Sequence, residues 1–444
     1  MKKKLPVITL APREEAARLE NLPGEVTIAL ADIASAARDG LMALSCTAGL
    51  CVLQAILEAE VSDVAGPKGR HNPERTVTRN GTAPGSVVLG GRTVAVHRPR
   101  AVRTDGSGEL SLDSWSLFSS RDLLSQLVVE RMLAGVATRR HVLVGEPVGE
   151  AMEEAARATS KSAVSRRFVA ATKAKLAELL ARDLSKIDVA VVMIDGVYFA
   201  GRCCVVALVI TTDGTKIPVG LYDGDTENTV VVTGLLADLV ARGLRFEDGI
   251  LCVIDGSKAL AAGVRKVFGD RALVQRCVLH KRRNVVGHLD DELGSTVDRK
   301  LGAAFNDPDP ARGLRVAKGI ARQLEADHPS AAASLLEGLD DMFTVRRLGV
   351  SDRLARSLSC TNAIESMISV IRKVTGRVTK WKDATMVNRW AAAGMLEAER
   401  SFRRIKGHGD MQTLVSKVQA EVARLVAEKE GGTVTPTKYD QAVA

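Results

Sequence analysis

The sequence predicts a mixed α/β core carried between mostly helical flanks, and three features of its 444 residues predict it. Apolar runs of strand length, rich in β-branched residues, recur between residues 186 and 288. Helical spacing of apolar residues returns between and after them, and two of the runs end in the same dipeptide, Asp-Gly. The first run, 189–194, is too short for a spanning helix and reads as a buried central strand broken by Asp195-Gly196, so that 187–208 becomes two short β runs joined by a turn. A carboxylate directly after such a strand is costly to bury unless something neutralises it, and a metal ion is one of the few groups that would.

Composition bounds the function. A net charge of +9 with 46% hydrophobic residues fits a soluble globular protein of two to four domains with a polyanionic partner. Aromatic residues make up only 3%, which argues against a single-strand binder built on stacking platforms. Seven cysteines without a CxxC pair exclude a disulfide framework and a zinc ribbon, and they point to a reducing, cytoplasmic compartment. Met1-Lys2-Lys3-Lys4 imitates the start of a signal peptide, but Arg13, Glu14 and Glu15 interrupt the apolar core that should follow. The uncharged stretch 40–57 holds Gly40, Ser45, Thr47, Gly49 and Gln54 and falls short of the roughly 20 apolar residues a span needs, so a buried helix and no membrane are expected.

In chain order, residues 1–66 are expected to be helical, with apolar spacing over 32–38 and 41–60. Residues 67–105 form a basic β-hairpin region, with strands at 86–89 and 93–97 around Gly90-Gly91. Here Lys68, Arg70, Arg75, Arg79, Arg92, Arg98, Arg100 and Arg103 stand against one acid, Glu74, a pattern suited to a phosphate backbone or to a solvated loop surface. Residues 106–185 return to helix. Within them 148–158, a break at Thr159-Ser160, and 161–176 describe either a DNA-reading helix-turn-helix or an ordinary helix pair; Ser162, Ser165, Arg166 and Arg167 would meet the DNA.

From Lys186 the pattern alternates. Strands at 189–194, 202–211 and 216–222 precede a helix at 226–242 ending at Gly243, a strand at 250–254 ending in Asp255-Gly256, a helix at 257–268, a strand at 272–277 and a helix from His280. The order βββαβαβα is that of a mixed sheet of the ribonuclease-H-like kind. Residues 289–356 read as a charged, all-helical insertion broken at Pro308/Pro310 and Arg312-Gly313, and 357–406 as the second part of the sheet domain, with a helix at 363–373. Residues 407–444 supply one more helix and a tail.

If both Asp-Gly strands are central and parallel, Asp195 and Asp255 converge at the carboxyl edge of the sheet, where ligands gather. Close carboxylates repel and a divalent ion relieves the repulsion; Mg²⁺ suits hard oxygen donors and keeps phosphate oxygens in its shell. A single Asp-Gly would be an ordinary strand-ending turn, but two in one sheet shift the balance toward a site. Glu365 is the candidate third acid. Asn362 as a cap with Glu365 three residues on equally describes a capping box.

These stations resemble, in order and spacing over about residues 140–405, the Mutator-type insertion-sequence transposases: Asp195-Gly196, residues 214–220, Arg242-Gly243-Leu244, Asp255-Gly256, residues 276–284 and residues 361–366. The resemblance implies a ribonuclease-H-like fold in which an all-helical insertion precedes the last acid. It implies a catalytic triad of Asp195, Asp255 and Glu365 holding two Mg²⁺ (or Mn²⁺) ions per active site. It also implies a bacterial, nucleoid-associated enzyme acting on terminal inverted repeats and target DNA as a homodimer or higher homo-oligomer. Cys277 and His280 correspond to a Cys-x-x-His element of the family, expected to support the active-site edge, since two further zinc ligands at matching spacing are missing. Beside it Arg276, Lys281, Arg282 and Arg283 either hold phosphates or form a solvated helix start. After Glu365, the basic residues Arg372, Lys373, Arg377, Lys380 and Lys382 alternate with Trp381 and could line a DNA channel, while Trp390 shares helical spacing with Met386, Ala393 and Leu396 and is expected in the core.

Overall fold

The computed structural model describes residues 41–70, 74–89, 92–120, 123–138, 156–157 and 160–431. The helix expected over 32–38 lies outside them. The chain divides into two units, residues 1–171 and 172–444.

In the first unit, α1 (Leu41–Ala65) packs on an antiparallel hairpin of β1 (Val77–Leu89) and β2 (Arg92–Arg103). Leu53, Leu57, Val61 and Ala65 recur every four residues along α1 and meet Val87, Val96 and Ala101 of the hairpin. The expectation of a buried helix is corrected here: one side is buried, while Val52, Ile56 and Val64 on the other are exposed. Continuing to Ala65 also lengthens the apolar stretch, so 44–65 is long and apolar enough to cross a membrane by length and composition. The hairpin is longer than expected because it runs through a bulge between Arg79 and Thr82, where Gly81 takes a positive φ of 64°. Then follow α2 (Asp113–Ser120), α3 (Leu123–Leu133) and a two-residue strand, β3 (Ala156–Arg157), which pairs with Thr93 and Val94 of β2. This extended pair contradicts a helix running through residue 158; the rest of that expected first helix lies outside the described residues. The second helix of the expected pair is α4 (Lys161–Leu180), whose last turns belong to the second unit.

The second unit is built on β4 (Val189–Phe199), β5 (Arg202–Thr211), β6 (Lys216–Gly224), α5 (Thr229–Ala241), β7 (Ile250–Ile254), α6 (Lys258–Phe268) and β8 (Ala272–Arg276). Among the described residues these strands make one five-stranded sheet in the order β6-β5-β4-β7-β8, antiparallel on the β6 side and parallel between β4, β7 and β8. Strand β4 does not end at Asp195. It pairs with β5 through Asp195 and Gly196 to Phe199, and the turn falls at Ala200-Gly201, where both residues have positive φ, as a two-residue hairpin requires.

Both faces of the sheet are covered, so β4 and β5 are apolar on both sides. Val191 and Met193 face one core with Ile364 and Met367, while Val192 and Ile194 face the other with Leu235 and Leu236 of α5 and Val264 of α6. Asn228 caps α5 by accepting from Val230 and Val231, and Ser257 caps α6.

The helices that follow are α7 (Val278–Val286), α8 (Asp291–Phe305), α9 (Pro310–Leu324), α10 (Pro329–Leu336), α11 (Thr344–Arg347) and α12 (Asp352–Leu358). They gather a core of their own around Val285, Leu301, Ile320, Leu335 and the ring pair Phe305 and Phe343. The break falls only before α9, where Asp309 caps and Pro310 begins the helix; Arg312-Gly313, expected to share in the break, lies inside it. Gly313 is there because a Cβ would come 2.4 Å from the Ala304 carbonyl oxygen. Three further helices, α13 (Asn362–Thr375), α14 (Ala384–Glu399) and α15 (Met411–Gly431), return to cover the first sheet face through Ile364, Met367, Ala391, Met395, Leu414 and Val418.

Candidate active site

Register brings the two Asp-Gly carboxylates side by side. β4 and β7 pair with Val191 opposite Leu251, Val192 opposite Cys252 and Met193 opposite Val253. Two residues further along each chain stands an aspartate, so Asp195 and Asp255 are neighbours across strands roughly 4.8 Å apart. β8 extends the row: Ile254 pairs with Arg276, and the next amide, that of Cys277, donates to the Ile254 carbonyl at 2.8 Å. Alternation puts Asp195 on the face of Val191, Met193 and Val197, where α13 packs.

The electrostatics follow from that crowding. Burial and the charge of Asp255 push the Asp195 carboxyl up to about 7, although the Gly196 amide, 2.8 Å from Oδ1, and His280 favour its anion. Asp255 Oδ1 accepts from the Ser257 amide at 2.7 Å. A further carboxylate, Glu227, was not anticipated. Burial raises its pKa, a hydrogen bond with Ser257 opposes the rise, and Asp255 adds to it. A Cβ on Gly196 would lie 2.5 Å from Glu227 Oε2, so the glycine of the first Asp-Gly makes room for a carboxylate rather than for a turn. Because β6 runs antiparallel to β5 and its last residue, Gly224, pairs with Cys203, the loop carrying Glu227 opens on the same sheet edge as Asp195; that topology was the available signal.

The third candidate acid reaches the site through Thr361. The backbone is stitched there: the Val278 amide donates to the Ser359 carbonyl at 3.0 Å, joining the start of α7 to the segment that leads into α13. Thr361 is fully buried. Its hydroxyl lies 2.6 Å from Glu365 Oε1, 3.3 Å from Cys277 Sγ and 3.4 Å from His280 Nδ1. No capping box forms, because the cap position is Thr361 without a side-chain cap bond and Asn362 is already inside the helix. His280 Nε2 stands 3.8 Å from Glu365 Oε1. The hydrogen bond with Cys277 holds His280 up at about 9 against its burial, with Glu365 and Asp255 adding to the rise. Burial alone would push the Cys277 thiol up, but hydrogen bonds with His280 and Thr361 more than reverse this and lower it.

The expected phosphate contacts beside this site need correction. Arg276 is buried and its guanidinium donates to the carbonyls of Gly256 at 2.6 Å and Glu337 at 3.3 Å. Lys281 is also buried, with Nζ 2.5 Å from the Ser334 carbonyl. Arg282 forms a two-pronged pair with Asp298 at 2.8 and 2.5 Å, which leaves Arg283 as the exposed member of the four. Arg372, Lys373, Arg377, Lys380 and Lys382 are all exposed, and Trp381 packs at 4.9 Å between ring centroids on Phe199 at the end of β4. Trp390 is buried.

In the first unit Arg79 pairs with Glu58, while Arg98 and Arg100 share Glu109, so acids outside the basic window neutralise three of its cations. Arg70 and Arg103 are exposed, Arg75 is half-buried, and the side chain of Arg92 lies outside the described residues. Ser162, Ser165 and Arg166 are exposed on α4 and Arg167 is half-buried.

The profile of the family described as "Transposase, Mutator family" matches residues 25–404. The chain is 29% identical over 206 residues to the transposase for insertion sequence element IS6120 of Mycolicibacterium smegmatis, covering 45% of this chain and 62% of that one. It is 26% identical over 175 residues to the transposase for element IST2 of Acidithiobacillus ferrooxidans, covering 39% and 58%. The likeness to the transposase for element IS905 of Lactococcus lactis is lower, 22%, but extends over 76% of this chain and 84% of the relative. The chain spans about three-fifths of the length of the first of these relatives.

Proposed function

Because this chain belongs to the Mutator family of transposases, we propose that it is the transposase of an insertion sequence and that it cleaves and joins DNA strands through Asp195, Asp255 and Glu365. The observation that carries the reading is the in-register placement of Asp195 and Asp255 on adjacent parallel strands, with the Asp195 carboxyl pushed up to about 7. Three antiparallel strands followed by two parallel ones, with β4 central, support a ribonuclease-H-like catalytic domain interrupted by the helical insertion.

The donor types fit Mg²⁺ or Mn²⁺: all three are hard carboxylate oxygens, and Asp195 and Asp255 stand close enough to repel one another. Bound by Asp195, Asp255 and Glu365, such ions would supply Lewis-acid activation of water or a DNA 3′-hydroxyl and stabilise the leaving oxygen. The chain's own residues do the rest. The sheet register fixes the two aspartates, Thr361 orients the Glu365 carboxylate, and protonated His280 offsets negative charge at the edge. Arg283 and the exposed cations Arg372, Lys373, Arg377, Lys380 and Lys382 would meet a phosphate backbone laid beside α7 and α13. Residues 1–185 would recognise the terminal inverted repeats, and a homodimer or larger homo-oligomer in the bacterial cytoplasm would process two ends together. The test is strand joining by the purified chain with pre-cut ends carrying the inverted repeats that flank its gene. Joined products in Mg²⁺ are expected; hydrolysis without joining under any divalent metal would make the protein a nuclease instead.

A further inference from the structure

Cys277, His280 and Glu365 place a sulfur, an imidazole nitrogen and a carboxylate oxygen within 4.8 Å of one another. These are the donor types of a zinc site with an open fourth position, and a sulfur donor disfavours Mg²⁺. The Cys-x-x-His spacing alone lacked further ligands; the fold supplies one by bringing the first turn of α13 against the start of α7. Cys277 is buried, whereas His280 and Glu365 keep about a third of their side chains open, so an ion has a route in from the solvent side. The neighbouring Cys360 is turned away, its Sγ on the Arg356 carbonyl at 3.7 Å. Thr361 contacts all three donors and ties them to one buried hydroxyl.

Glu365 stands with Cys277 and His280 in a soft donor set. In the catalytic role proposed above it would instead join Asp195 and Asp255 in an all-oxygen set. We propose that Cys277, His280 and Glu365 form a site for a thiophilic divalent cation, Zn²⁺, and that filling it draws Glu365 away from Asp195 and Asp255 and switches strand cleavage off. Binding stands on these three side chains alone, while the switch rests on the role proposed above for Glu365.

Titration of the full chain with Co²⁺, in a phosphine reductant, reads the site through thiolate-to-cobalt charge-transfer absorption. Wild type and Asp195→Asn should both develop the band at one equivalent; Cys277→Ser should lose it, and His280→Gln and Glu365→Gln should weaken binding by at least about tenfold. No band in the wild type, or a band that survives Cys277→Ser, overturns the site. If Cys277→Ser fails a circular dichroism check for folding, unchanged Co²⁺ affinity in both His280→Gln and Glu365→Gln overturns it instead. In excess Mg²⁺, micromolar Zn²⁺ should stop cleavage by the wild type over the same range in which it displaces the Co²⁺ band. Full cleavage with the Co²⁺ band saturated overturns the switch. Cleavage by Asp195→Asn would instead overturn the assignment of the acid set, leaving the cobalt result to stand separately.

Discussion

Asp195 and Asp255 occupy the same position on adjacent parallel strands, each two residues beyond the paired Met193 and Val253. Burial, and then repulsion from Asp255, push the Asp195 carboxyl up to about 7, so that below this pH it keeps its proton.

That proton makes stability depend on pH. With the Asp195 carboxyl pushed up to about 7 by folding from its ordinary 3.8, the folded state binds one more proton between these values. Stability from this group is therefore lost as pH rises from about 4 to about 7. Between pH 5 and pH 8, metal-free wild type should lose on the order of 1–3 kcal/mol more than Asp195→Asn, read by urea unfolding. Mg²⁺ at pH 8 should recover the loss in the wild type and not in the variant. Equal pH slopes would contradict the coupling.

The basic residues around α7 divide by burial, and their variants should divide likewise. Arg276→Ala removes the guanidinium that holds the carbonyls of Gly256 and Glu337, and should cost about 2–4 kcal/mol in a denaturant midpoint. Arg283→Ala should leave stability unchanged and weaken DNA binding, lowering the salt slope by about 1. The reverse pattern would mean that Arg276 reads DNA after all.

Neutralising Arg372, Lys373, Arg377 and Lys380 together should lower the salt dependence of DNA binding by up to about 4 in slope without moving the melting temperature. In the first unit, Arg79→Ala should instead act on stability, through its lost partners Glu58 and Ser62. Filter binding across a salt series separates the two.

Much of the sheet was legible because its strands are apolar on both faces, as in Val191-Val192-Met193-Ile194. Asp255-Gly256 does follow the end of its strand, but Asp195-Gly196 misled. Gly196 belongs to the strand and accommodates Glu227, a contact made by a residue far along the chain that no local pattern signals. The basic window misled for a related reason. Glu58 and Glu109 lie outside it in sequence and inside it in space. The capping box at Glu365 fails because the helix starts at Asn362 and leaves Thr361 as the cap, a one-residue shift that the sequence pattern does not signal.

Glycines on the loop before α15 give a contrast free of the site. Gly407 has φ 86°, and a Cβ there would lie 2.6 Å from the Leu354 amide nitrogen, so Gly407→Ala should cost more than about 2 kcal/mol. Gly409, with nothing within 4 Å, should tolerate alanine within about 0.5 kcal/mol. Thermal unfolding of the two variants checks the loop's packing on α12.

The central claim, that Asp195, Asp255 and Glu365 carry metal-dependent cleavage, is tested most directly by cleavage of a labelled inverted-repeat duplex in Mg²⁺. Wild type, Asp195→Asn, Asp255→Asn and Glu365→Gln should bind the duplex alike, and each variant should cut at least about a thousandfold more slowly. Undiminished cutting by any one of the three variants would contradict the account.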